Sequence, residues 1–483
     1  MEKKLYTLKN TEDPAKQDLY IKKSGKIQNF FTYFNSFSLN KWKYYTMLEQ
    51  VTLRLEVRGK WKIIWQAADE SGIHLSLEET FNGNVYEHKI DADSFSSTLI
   101  GFQLQPLSQN AVFISGAWYG SFTQWQNRKI GISITTFHRE SYIKKNMTLL
   151  REFQNDHPWL YLQVVDNGNT LPEEKSDRFR LLHNPNFGGS GGFTRGMLEY
   201  VHSGCVDYVL LMDDDIDLDP TILERTYSLL GGLRSEFQES FLAGAMLKME
   251  NPVIQYENTA CWKKIRLHSF GKNFDLTQIK QLVKNEVYKN PTNRYGAWWY
   301  CCIPINRIQK IGYPLPIFVK GDDMEYGIRN QKECLSLNGI GVWHLSFESK
   351  LSPVVKYYSD RNMLIINNFA QGCGFLTFAI AVCGRFVKRL LQFNFRGLLC
   401  LNTALVDYNQ GMSGITSIPA DEKMAEIVRK VNGFCGIGIF FTLLLTMVKT
   451  IASYPNTARE YRKFREDKLK DNRFWKQYLG IKE

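Results

Sequence analysis

No Cys-x-x-Cys pair occurs among the nine cysteines of this 483-residue chain, and Cys301 and Cys302 stand side by side. An odd count at irregular spacing is neither a disulfide framework nor a zinc module, and it fits reduced thiols in a cytosolic protein. The opening stretch MEKKLYTLKNTED lacks the apolar core of a secretory signal, so none is expected. Neither zinc-finger spacing nor an RNA-binding signature accompanies the net charge of +11. That sets nucleic acid aside and leaves anionic lipid or phosphorylated ligands as partners for the basic balance. Internal repeats and low-complexity segments are absent as well. The run FCGIGIFFTLLLTMV at 434–448 carries no charge over fifteen residues. A spanning helix needs roughly 20, so a buried or interfacial helix is expected there.

Hydrophobic residues make up 44% of the chain, charged residues 23% and aromatic residues 14%. That composition builds a sizeable core, and the length suggests two to four domains. Three regions are expected. Residues 1–126 lack helical periodicity. VTLRLEVRG (51–59) alternates apolar and polar residues, and KWKIIWQ, IHLSLEETF and AVFISGAWYG are further strand candidates between turns. Short strands at this spacing predict an N-terminal β-sandwich. Trp118 and Tyr119 are expected on a surface that binds acceptor chains or packs an assembly. From about residue 127 to 350, apolar strands that end in polar residues alternate with helices. KIGISITTFHR, a helix near 140–155, WLYLQVVDNGN, a Gly-rich segment at 184–196 with its helix, and DYVLLMDDD predict an α/β domain with a mostly parallel sheet. Ligands of such sheets bind at the carboxyl ends of the strands. Residues 351–483 read as mainly helical.

The tail at 449–483 holds ten Lys or Arg against five Asp or Glu, and Arg385, Lys388, Arg389 and Arg396 form a second basic cluster beside an apolar run at 375–384. Apolar surface flanked by cations suits docking on an anionic membrane face, although the tail alone also fits a solvated helix.

Five motifs could carry chemistry. Asp213, Asp214 and Asp215 follow the buried run YVLLM. Adjacent carboxylates there repel one another and become tolerable around a divalent cation, which would bridge two phosphates. An exposed acidic turn leading into a helix is the alternative, helped by Asp217, Asp219 and Pro220. Asp322, Asp323 and Glu325 lie in GDDMEY, where one carboxylate could serve as a general base. An acid-rich helix start is the plainer reading. His344 in Trp343-His344 is a candidate ligand for a cation already held by carboxylates, although a lone His is more often structural. NPNFGGSGG (184–192) allows close backbone approach to a ligand at a helix start, but lacks the P-loop lysine and the dinucleotide fingerprint. Trp298-Trp299-Tyr300 could be core or a stacking platform for a sugar.

Taken in order, TTFHR, VVDNG, NPNFGGSGGFTRG, MDDD, WWY, KGDDMEYGIR and WH resemble glycosyltransferase family 2, and within it the galactofuranosyltransferases that polymerise cell-wall galactan. YFNSF (33–37) and Trp42 resemble that group's N-terminal opening. The resemblance implies a GT-A fold and inverting transfer from UDP-galactofuranose to a glycan or lipid-linked glycan acceptor. It implies that Asp213, Asp215 and His344 hold Mn²⁺ or Mg²⁺, and that Asp214 lies beside the ribose. Arg139 would reach the diphosphate. Thr135, Asp166 and Asn167 would line the uracil and ribose pocket, with Asn186 and the backbone of Gly188 to Gly192, Gly189 and Gly191 among them, bordering the donor sugar. Asp323 would be the general base, Asp322 and Glu325 acceptor or orienting groups, and Trp298 and Trp299 acceptor contacts. His138 and the shorter chain depart from the family pattern. The implied setting is the inner face of the cell membrane, with a homo-oligomer compatible. Two other readings stand beside it: another transferase on this scaffold, such as one using dTDP-rhamnose, and a non-catalytic carbohydrate-binding or scaffold protein.

Overall fold

The computed structural model describes residues 1–481 apart from 94–95, 264–265, 288–292, 347–351, 371 and 434–437. Two antiparallel sheets occupy the N-terminal region. One orders its strands Glu2–Thr7, Val112–Phe122, Leu48–Arg58, Val85–Asp91; the other orders Lys22–Ser24, Ile27–Asn29, Leu99–Pro106, Lys60–Asp69, Gly72–Asn82. Alternation sets their faces. In Leu48–Arg58, Val51, Leu53, Leu55 and Val57 are buried while Glu56 and Arg58 are exposed. Trp118 from the first sheet meets Trp65 and Phe102 from the second at ring-centroid distances of 6.1 and 6.3 Å. Trp118 is therefore fully buried, its indole N–H donating to the Asn35 carbonyl, and it forms no outer surface. Tyr119 is half-buried beneath the Arg54 guanidinium.

These sheets pack directly on the central region. The buried Arg225 guanidinium lies 3.6 Å from the Tyr6 ring centroid and donates to the carbonyls of Phe34 and Asn338. Lys41 and Glu286 form a second buried link, 3.4 Å apart. The expected boundary at 126/127 falls between the Val112–Phe122 and Ile130–Thr136 strands, and the one at 350/351 lies outside the described residues.

The central sheet has eight strands in the order Glu174–Lys175, Phe179–His183, Leu160–Asp166, Ile130–Thr136, Tyr208–Asp213, Cys301–Pro304, Phe241–Ala243, Cys334–Leu335. Four strands from Phe179–His183 to Tyr208–Asp213 are mutually parallel. The Cys301–Pro304 strand runs antiparallel to both its neighbours, and Glu174–Lys175 runs antiparallel to Phe179–His183, so the sheet is mixed but mostly parallel, as expected, with the other six strands pointing one way. The helix Glu140–Asn155 forms where expected, and the helix Gly188–Ser203 begins inside the glycine segment. Glycines let that helix lie unusually close to the sheet: a Cβ at Gly192 would sit 2.2 Å from Thr135.

Among the described residues, seven helices between Pro353 and Tyr478 build the C-terminal region. Of the apolar run at 434–448, residues 434–437 lie outside the described residues; the rest starts the helix Ile439–Lys468, which exposes Phe441, Leu445 and Val448. The helix Phe375–Leu391 exposes Phe375, Leu376 and Ile380. Its expected basic cluster divides. Lys388 and Arg396 are exposed, but Arg385 and Arg389 turn inward onto buried Asp360, at 3.5 and 2.7 Å. No described helix is long and apolar enough to cross a membrane. The eight described cysteines are all free.

Candidate active site

Asp213 ends its strand, and the following turn presents Asp214 and Asp215 beyond the sheet edge. Backbone hydrogen bonds run both ways between Asp217 and Trp343, at 2.9 and 2.8 Å. They bring the strand Gly341–His344 alongside this turn. His344 Nε2 therefore stands 2.9 Å from Asp215 and 3.8 Å from Asp213, and one ligand atom from each of the three lies within 4.8 Å of the others. His344 Nδ1 is 2.6 Å from the Leu345 carbonyl, to which it must donate, so Nε2 is the atom turned to the carboxylates. Two carboxylates and an imidazole could hold a divalent cation, and burial makes the charge unstable without one. Burial, and then the charges of Asp215 and Asp214, push the Asp213 carboxyl up to about 6 against the pull of His344. For His344, burial opposes protonation, but the hydrogen bond to Asp215 and the charges of Asp213 and Asp215 outweigh it and hold its pKa above the ordinary value.

Asp214 turns the other way. It accepts from the Thr136 hydroxyl at 2.7 Å and from Arg139 at 3.2 Å, and Arg139 also pairs with Asp215. Arg139 thus borders the ligand cluster with its guanidinium half-exposed. Asn146 supports the turn from the Glu140–Asn155 helix, donating to the carbonyls of Asp214 and Ile216 at 3.0 and 3.1 Å.

The second acidic pair arrives on the helix Asp322–Asn330. Before it runs a strained strap: Phe318, Lys320 and Gly321 all have positive φ, rare for the first two. Buried Asn362 holds the strap, donating to the carbonyls of Ile317, Val319 and Lys320 at 3.1, 2.7 and 2.9 Å. Asp322 and Asp323 then line a cavity of about 440 Å³ together with Gly189, Asp213, Glu257, Trp298 and Trp299. Burial and the neighbouring Asp323 raise Asp322 to about 8; burial raises Asp323, against the hydrogen bond it accepts from the Met324 N–H.

The remaining expected site residues divide between this cavity and positions outside its lining. Glu325 is buried behind the helix in a bidentate ion pair with Arg329, at 3.0 and 2.7 Å, and does not line this cavity. Gly191 packs beneath Phe187 and Leu479 rather than beside the cavity; among the expected glycines, Gly189 is the one that lines it. Asp166 spends its carboxylate on the N–H groups of Gly168, Thr170 and Leu171, at 2.8, 2.7 and 2.9 Å, shaping the loop after its strand. Thr135 lies against Gly192. Asn167 accepts from Asn184 at 2.8 Å and donates to the Gly188 carbonyl at 3.0 Å, while Asn186 reaches Asp421 at 3.3 Å. Trp298 and Trp299 are core residues with one edge on the cavity: Trp298 packs on Phe193, and Trp299 donates to the Gly244 carbonyl.

Glu257 was not anticipated. Burial and the nearby Asp323 push it up to about 7, against the hydrogen bond from the Ser269 hydroxyl. It comes from the strand Ile254–Glu257, where no sequence motif marks it.

Gly188 offers a test of the strap. Its φ is +66°, and a Cβ would lie 2.3 Å from the Phe318 carbonyl oxygen. Gly188→Ala is expected to cost about 2 to 4 kcal/mol in chemical denaturation. An unchanged midpoint would mean that the strap yields freely.

Three kinds of similarity bear on this chain. A family model described as "Galactofuranosyltransferase 2 N-terminal" matches residues 3–121. Galactofuranosyltransferase GlfT2 of Mycolicibacterium smegmatis is 24% identical over 456 residues, covering 86% of this chain and 70% of the relative. GlfT2 of Mycobacterium tuberculosis is 25% identical over 416 residues, covering 75% of this chain and 62% of the relative, so this chain spans only part of each. A solved structure of S. aureus TarS 1-349 in complex with UDP is 12% identical and covers 69% of this chain and 91% of its own, with a TM-score of 0.35. Sequence similarity to galactofuranosyltransferases therefore extends along most of this chain, from the N-terminal sheets through the acidic motifs, in keeping with the resemblance carried by the motif order.

Proposed function

We propose that this chain is an inverting, metal-dependent glycosyltransferase with a GT-A catalytic domain at 127–350, between a β-sandwich at 1–126 and a helical region at 351–483. It moves galactofuranose from UDP-galactofuranose to a hydroxyl of a glycan or lipid-linked glycan in cell-surface polysaccharide synthesis. The observation that carries this reading is the convergence on one cleft of two acidic centres: the Asp213, Asp215 and His344 cluster, and the Asp322–Asp323 pair whose cavity Asp213 also lines.

Asp213, Asp215 and His344 would hold Mn²⁺ or Mg²⁺. Once bound, the cation offsets their repulsion and supplies positive charge for the departing diphosphate. Arg139, at the edge of that cluster, offers forked donors to phosphate oxygens. Asp323 faces the shared cavity and accepts the proton of the acceptor hydroxyl. As it does, the acceptor oxygen bonds to the anomeric carbon and the bond from that carbon to the diphosphate breaks, inverting the centre. Trp298 and Trp299 give the acceptor sugar an apolar edge. The exposed apolar residues at 375–380 and 441–448, with Lys388 and Arg396 close in sequence to the first of them, support peripheral docking on the inner face of the membrane.

The test is UDP and dTDP release from a panel of nucleotide sugars with candidate acceptors, in Mn²⁺ and in EDTA. Release from UDP-galactofuranose that EDTA abolishes is expected. Release from dTDP-rhamnose alone would discard the donor and keep the mechanism. Silence across the panel would favour a non-catalytic carbohydrate-binding role.

A further inference from the structure

A second cavity, about 350 Å³, lies behind the strap and the glycine turn and is lined by C-terminal helices. It belongs to none of the roles assigned above, yet it backs directly on the acidic cleft. Phe187 lines it two residues before Gly189 of the cleft, Phe318 stands four before Asp322, and Tyr358 immediately precedes Ser359, which lines the cleft.

The lining combines flat rings with uncharged polar groups. Phe318 and Tyr358 pair at 5.0 Å between ring centroids, and Phe187 and Tyr478 at 4.6 Å. Gln410 and Gln477 add amides at the rim. Tyr358 is only 1% exposed as a whole residue, no hydrogen bond reaches its hydroxyl from the described residues, and that oxygen is not among the fully enclosed unpaired atoms, so it opens to the cavity. A phenol hydroxyl that opens to a cavity without a protein partner is free to bond a ligand there.

The charged groups of the lining are already matched. Lys423 pairs with Asp407 at 3.0 Å and with Glu426 at 2.8 Å. Asp407 also accepts from the Tyr357 hydroxyl. Arg361 donates to that same hydroxyl at 3.2 Å and to the Ile317 carbonyl at 2.8 Å. The lining itself holds Arg361, Lys423 and Asp407, and Glu426 just outside it balances the second cation through Lys423. A phosphorylated ligand would have to break these pairs, whereas a neutral one need not.

Aromatic faces, amides and a partnerless phenol in a charge-balanced cavity fit an uncharged polyhydroxyl ligand. The volume, at the lower end of ligand sites, leaves room for about one or two hexose units. We infer that this cavity is a second sugar subsite, which holds a non-reacting residue of the acceptor or product chain behind the cleft. The assignment to a chain being extended rests on the proposed function; the binding of a neutral sugar does not.

The experiment is calorimetric titration of the full chain with a neutral galactofuranosyl oligosaccharide, beside product-length analysis in transfer assays. Tyr358→Phe removes one oxygen, and Gln477→Ala truncates an exposed rim side chain, so both variants should fold. Each is expected to weaken oligosaccharide binding about five- to tenfold, to shorten products, and to leave UDP release with a minimal acceptor unchanged. Unaltered isotherms and product lengths in both variants would overturn the subsite. A wild-type chain that releases no nucleotide from any donor, yet binds the oligosaccharide in a way sensitive to Tyr358→Phe, would sink the transferase reading and keep the sugar site. Normal turnover with insensitive binding would do the reverse.

Discussion

Asp215→Ala is expected to lower sugar transfer by at least about a thousandfold and to weaken Mn²⁺ binding by about a hundredfold. Asp215 stands at the centre of the cluster. His344 Nε2 is 2.9 Å away, and Arg139 pairs with the same carboxylate. Removing it takes out a proposed cation ligand and the group that orients both neighbours. Metal binding followed by calorimetry separates this loss from misfolding. The metal-free variant should remain folded, because one source of repulsion on Asp213 has gone: burial, with help from Asp215, raises that carboxyl to about 6. Turnover and cation affinity at wild-type levels would sink the metal reading and favour a carbohydrate-binding scaffold.

Asp323→Asn should reduce turnover by about a hundred- to ten-thousandfold while UDP and Mn²⁺ bind nearly as before. Asparagine keeps the shape and cannot accept a proton. The pH profile adds a second readout. The two carboxyls of Asp322 and Asp323 are both raised, chiefly through burial, with Asp322 pushed up to about 8. A general base must be ionised, so wild-type activity should fall as pH drops through the ionisation of this pair, and that acid limb should be missing from the residual activity of Asp323→Asn. Stability moves the other way. A carboxyl whose folded value is raised contributes stability that is fully present below its unfolded value of 3.8 and is lost as pH rises through about 8. The denaturation midpoint of the metal-free protein should therefore decline across that window, and Asp322→Asn should flatten the decline. Residual turnover within threefold of wild type in Asp323→Asn would remove Asp323 as the base and turn attention to Glu257, raised to about 7 in the same cavity.

Glu325 shows where linear reading ends. In the sequence it stands with Asp322 and Asp323 as one acidic motif. On a helix, a two-residue step turns roughly 200°, so Glu325 and Asp323 face apart. Arg329, four residues on, is the natural partner of Glu325, and the two form a buried ion pair. The glycine segment makes the same point. Its composition announces close backbone approach, but what approaches depends on the helix. A Cβ at Gly192 would meet Thr135, one at Gly191 would meet Phe187, and one at Gly189 would stand 3.3 Å from the Asp322 carboxylate. At Arg385 and Arg389 charge alone suggested a surface, yet buried Asp360, in the preceding helix, draws both inward.

Local sequence specified the first parallel strands of the central domain and where they stop. Apolar runs in VVDNG and YVLLMDDD dictate strands, and small or acidic residues after them dictate turns at the sheet's carboxyl edge, because side-chain periodicity and turn chemistry are local. It also marked Asp213, Asp215 and His344 as a candidate set, through residue type and order. Which of the marked residues share a cleft depends on long-range packing. Trp343 pairs with Asp217 across more than a hundred residues, and Asn362 holds the strap from a C-terminal helix. Glu257 enters the cavity from a strand with no motif. Trp118 goes to the contact between the two N-terminal sheets. The direction a side chain faces follows from what its element packs against, and that partner is distant in sequence.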